Sequence, residues 1–114
     1  MSGVPIKAGA RLKAARLHLD AELQKTAKSI FAEIWGSSAK GKARMHGTDY
    51  LFITLDGTPE SHRAQAERSG WKVKTSEGNR SVLTNKSWPK THLEIMGNTA
   101  PKGRETQAAI YVDA

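Results

Sequence analysis

A chain of 114 residues, 38% of them hydrophobic, is long enough for one domain with its own core. No apolar run approaches the roughly 18 residues a membrane-spanning helix needs, and no cysteine is present, which excludes disulfides, thiolate metal sites and cysteine nucleophiles. The net charge of +7 is uneven: residues 1–46 hold nine Lys/Arg against three acids, and residues 47–114 hold nine against eight.

A basic N-terminal half suits an anionic partner, or equally a solvated helix face followed by a basic loop. A domain of this size buries only about two-thirds of its unfolded surface. A core this lean fits either a modestly stable monomer or a subunit whose neighbours complete the burial. Met1 to Lys7 lacks the apolar core of a secretory signal, so synthesis and use in the cytoplasm are expected.

Residues 8–35 read as one long amphipathic helix. Leu12, Leu19, Leu23, Ala27, Ile30 and Ile34 recur at three-, four- and seven-residue steps and form one stripe. Leu17, Phe31 and Trp35 widen it, and Gly36 supplies the stop. Residues 37–48 follow as a basic loop with three cations, Lys40, Lys42 and Arg44, and no acid. Residues 49–55 form an apolar run of strand length, and Asp56-Gly57 signals a turn. Thr58 as a cap and Pro59 at the first helical position open a short second helix, residues 58–68.

Residues 71–75 then read as a strand with Trp71 and Val73 on one face and Lys72 and Lys74 on the other. A turn at Glu77-Gly78-Asn79 returns the chain as a strand over 80–84. Residues 91–96 and 106–112 complete the set, joined by a polar turn over 98–104. The prediction is a single α+β domain over residues 1–114. In it a long N-terminal helix packs on a mostly antiparallel sheet of four to five strands spanning 49–114, beside a short second helix.

The four histidines, His18, His46, His62 and His92, show no helical metal spacing, and no phosphate-binding glycine loop is present. Asp49, Asp56 and Glu60 are too thin a set for two-metal nuclease chemistry. His92 and Glu94 share one face of a strand. They could form an acid/base pair or metal site, or simply satisfy nearby backbone or a neighbouring subunit. No catalytic residue, metal or cofactor is expected. Trp35 and Trp71 read as core, whereas Trp88, before Pro89 in a loop, is either an interface anchor or a lid over the local core.

The order of residues from Ala66 to Gly103 carries one further signal. Trp71, Val73, Val82, Asn85, Lys86, Trp88, Thr91, His92, Leu93 and Gly97 stand in a characteristic spacing. It resembles the head–tail joining proteins of long-tailed bacteriophages, the neck or tail-completion family of minor tail components. Two features depart from the family pattern: Glu94 directly follows Leu93, and the Asp-Thr-Gly element before the first strand is missing.

The resemblance implies a virion structural protein without catalysis. It would assemble in the host cytoplasm as a homo-oligomeric ring, six-fold, between the portal side and the tail tube. Its partners would be other connector and tail-tube proteins, with non-specific contact to packaged DNA and no membrane. Lys40, Lys42 and Arg44 are then the candidates for the DNA channel, and Trp88, His92 and Glu94 for subunit interfaces. The alternative reading is a small nucleic-acid-binding module that uses the basic N-terminal half. No aromatic lies among the residues from Lys40 to Arg44 on which bases could stack, so single-strand recognition has little support from them.

Overall fold

The computed structural model describes residues 16–36, 40–97 and 105–114. Its elements run β1 (Lys40–His46), β2 (Tyr50–Asp56), β3 (Lys72–Glu77), β4 (Arg80–Thr84), β5 (Thr91–Gly97) and β6 (Glu105–Val112), with helices α1 (Ala21–Trp35) before β1 and α2 (Pro59–Arg68) between β2 and β3. The protein is α+β. Its six strands form one antiparallel sheet in the order β1-β2-β6-β5-β4-β3.

The chain logic of that order is simple. β1 and β2 form a hairpin through Gly47, whose φ of 65° glycine adopts without strain. β2, next to the β1 edge, and β3, at the other edge, run in the same direction, so their link must cross the sheet, and α2 makes that crossing. β3, β4, β5 and β6 then return strand by strand until β6 pairs with β2.

Three expectations are corrected. The helix is shorter than 8–35: it starts at Ala21, where Asp20 caps it by accepting from the Leu23 N–H at 2.9 Å. Residues 8–15 lie outside the described residues. Residues 17–20 are not helical: the Leu17 N–H donates to Val112 and the Leu19 N–H to Thr48, which ties an extended segment to the sheet. The interval expected as a basic loop holds β1, so the sheet has six strands rather than four to five; residues 37–39 lie outside the described residues, as does the 98–104 turn. The second helix falls where Thr58 and Pro59 place it, with Thr58 Oγ1 accepting from the Ser61 N–H.

Strand alternation sorts the sheet into two faces. Leu51, Ile53 and Leu55 of β2 point the same way as Leu93 and Ile95 of β5 and Ala108 and Ile110 of β6, and all are buried. Ala27, Ile30, Phe31, Ile34 and Trp35 of α1 and Ala66 of α2 join them in one cluster. His62 links the parts: its Nδ1 accepts from the Trp35 indole N–H at 3.1 Å, which leaves Nε2–H to donate to the Asp56 carbonyl. Trp71 belongs to this core at 1% exposure but stands just before β3, while Val73 within β3 is 38% exposed.

Candidate functional site

The helices cover one face of the sheet. The other face carries the side chains of opposite parity, and these set its chemistry. Because Leu51, Ile53 and Leu55 turn inward, Tyr50 and Phe52 turn outward. Pairing then places His46 opposite Tyr50, Arg44 opposite Phe52 and Ala109 on the far side of Phe52. On β5 the outward residues are His92, Glu94 and Met96, with Tyr111 opposite His92 and Ala109 opposite Glu94.

The small Ala109 side chain leaves a hollow of about 390 Å³ between Phe52 and Glu94. His46 and Tyr50 border it on one side, and Met96 and Gln107 on the other. The aromatic groups around it are mutually arranged. His46 stacks on Tyr50 with centroids 6.4 Å apart and stands edge-on to Phe52, and Tyr50 meets Tyr111 edge-on at 5.3 Å. His92 lies flat on Tyr111 at 4.9 Å. The Arg16 guanidinium sits over both tyrosines, 4.8 Å from Tyr50 and 4.7 Å from Tyr111.

Two side-chain pairs brace this face. Glu94, only 3% exposed, accepts from Arg80 Nε. A carboxylate at that depth needs such a partner, because an unpaired buried charge is costly. The hydrogen bond to Glu94 in turn raises the Arg80 guanidinium above its ordinary range. His92 Nε2 lies 2.7 Å from Asp113 Oδ2, and its Nδ1 has no partner among the described residues. Burial pushes the Tyr50 hydroxyl up against an opposing pull from Arg16, and burial followed by the Glu94 charge does the same to Tyr111.

The sequence-expected residues fall in different places. His92 and Glu94 share the open face, as their spacing implies, and both are buried within the single chain. Trp88 instead packs half-buried against the core cluster of the helix-covered face. Arg44 is exposed at the register of Phe52, on the open face. Lys42 borders a groove with Phe31 and Ile53, on the helix-covered face. The β1 pairing is irregular between Lys40 and Arg44; the Lys40 backbone opens the strand, and its side chain lies outside the described residues. The three basic-loop cations therefore do not all line one surface.

Arg16, Tyr50, Phe52 and Tyr111 were not singled out by the sequence reading. The signal for the three aromatics was the alternation of 50–55 and of 108–112, which assigns each to the face opposite its buried neighbours. Among the described residues no cluster of three or more His, Asp or Glu side chains could hold a metal ion.

The spaced residues from Trp71 to Gly97 belong to a three-stranded antiparallel meander, β3-β4-β5. Asn85 shapes the turn after β4: its Oδ1 accepts from the Ser87 N–H and its carbonyl from the Trp88 N–H. Leu93 is core, Thr91 is buried, and Gly97 leaves room for Asn79 and Pro59, which a Cβ there would meet at 2.8 and 3.2 Å. Comparison with known protein families, with curated proteins and with solved structures finds no match.

Proposed function

We propose that the chain is a non-catalytic structural subunit that assembles with copies of itself into a closed ring, at the head–tail junction of a long-tailed phage as the resemblance of its 66–103 stretch implies. One observation carries the assembly reading. Among the described residues the helices cover only one sheet face, leaving the aromatic face and two edge strands, β1 and β3, for neighbours to complete. All six residues of β3 are exposed. The roles its spaced residues play, a turn at Asn85, a core contact at Leu93 and a close approach at Gly97, are architectural and suit a scaffold.

The joint must be heterologous, since only two different surfaces that match can close a ring. Direct pairing of β1 with β3 is the less favourable choice. β1 carries Lys42 and Arg44, and β3 carries Lys72 and Lys74, so the two edges oppose like charges. A basic helix face is not available either, because the exposed side of α1 balances Lys25 and Lys28 with Glu22 and Glu33. The pairing this reading expects is the aromatic face, through Tyr50 and Phe52, against an edge of the next copy.

Native mass spectrometry with negative-stain imaging tests the reading, on the purified chain alone and with tail or connector particles. Rings, or a monomer that polymerises only on such particles, are expected. A chain that stays monomeric at every concentration and with every particle overturns it.

A further inference from the structure

The open face brings together what the sequence kept apart. The cations Lys40, Lys42 and Arg44 have no aromatic among them, yet the β1–β2 hairpin sets Arg44 beside Phe52 and His46 beside Tyr50. The hollow next to them, about 390 Å³, lies at the small end of the range of roughly 300–1,000 Å³ that suits a planar organic group. Its walls offer an exposed imidazole and a half-buried phenyl ring, both able to stack on a flat partner.

The charge around it favours an anion. Of the acids of this face, Glu94 is tied to Arg80, Asp113 to His92 and Asp49 to Arg16, while exposed Glu77 stands opposite Arg80 on β3. Arg44 is exposed, and the Arg80 side chain keeps 51% of its surface in solvent while bonded to Glu94. Guanidinium groups thus stand on both sides of an aromatic hollow: Arg44 beyond Phe52 on β1, and Arg80 beyond Met96 on β4. A polyanion with exposed flat rings satisfies both features at once.

We propose that this face binds single-stranded nucleic acid, with one base stacked in the hollow against Phe52 and His46 and flanking phosphates held by Arg44 and Arg80. A duplex offers the same phosphates but keeps its bases stacked inside, so it loses the hollow's contribution. The inference goes beyond the ring reading and is made for the free chain, in which no neighbouring copy covers this face.

Fluorescence anisotropy with the full chain tests it, using a labelled single-stranded DNA oligonucleotide and the duplex made from it at matched salt. The single strand is expected to bind about tenfold or more tightly than the duplex. Phe52→Ala and His46→Ala are each expected to weaken it by roughly five- to a hundredfold, the effect of losing one stacked base. Arg44→Glu weakens it and flattens the salt dependence by about one phosphate contact. Lys25→Ala, on the outward side of α1, leaves binding unchanged. Circular dichroism checks that each variant is folded; His46 is exposed, so His46→Ala carries the test if Phe52→Ala unfolds. Equal affinity for duplex and single strand, or full affinity in folded His46→Ala, overturns the proposal.

Discussion

At the residue scale, the Arg80–Glu94 pair holds the middle of the open face. Glu94 is nearly fully buried, and its partner is half in solvent. Arg80→Met strands the carboxylate, a loss of about 1–3 kcal/mol for a buried group deprived of its partner. Urea unfolding reads that loss. Replacing both residues with Met is expected to recover most of it, because an apolar pair of similar volume carries no desolvation cost. A double variant no more stable than Arg80→Met shows that packing, not charge, sets the effect. The two tyrosines give a pH signature. Burial raises both hydroxyls above the value of 10.0 they have when unfolded, so the unfolded chain ionises first. Their contribution is fully present below pH 10 and is lost as pH climbs through the raised folded values. The urea midpoint is therefore expected to fall above pH 10, and Tyr111→Phe to blunt the fall. Absorbance at high pH follows the same ionisation directly.

At the element scale, the cap decides where α1 begins. Asp20 accepts from the Leu23 N–H, so Asp20→Ala is expected to cost about 0.5–2 kcal/mol in urea unfolding, and Asp20→Asn, which keeps an acceptor, much less. An unchanged midpoint in Asp20→Ala means the cap is idle. The same residue shows what was legible in the sequence. The apolar period ran on through Leu17 and Leu19, but Leu19 is buried from an extended segment bonded to Thr48, so a shared stripe did not mean a shared helix. The Asp20 cap was the better boundary signal. β1 escaped notice for a different reason. As an edge strand it packs Ala43 and Met45 against the core, while Lys42, Arg44 and His46 are exposed, a composition that edges favour and that reads as loop. The inner strands announced themselves because both their neighbours and their core face demand apolar side chains. The open-face site was half legible: His92 and Glu94 were placed together by strand parity, whereas Arg16 over Tyr50 and Tyr111 depends on a tertiary crossing that no local spacing encodes.

At the scale of the whole molecule, the strand order dictates how protection against hydrogen exchange is distributed. β2, β6 and β5 each have a neighbour on both sides, and their inward residues form the core. β1 and β3 each have one neighbour and a register shift, at Lys40/Arg44 and at Val73/Thr75. Amides of β2, β5 and β6 are therefore expected to exchange slowest, near the rate set by global unfolding, and the outward amides of β1 and β3 fastest. Assembly adds a second comparison. If copies joined β1 to β3, both edges would gain protection together and the sheet would run on from copy to copy. The like charges of Lys42 and Arg44 against Lys72 and Lys74 oppose that joint. The expected pattern in the assembled form is a gain at one edge only, with loss of solvent access on the open face around Phe52 and Tyr50. Equal gains at both edges, with the open face unchanged, would show that backbone pairing outweighs the charge repulsion and that the ring closes through a continuous sheet.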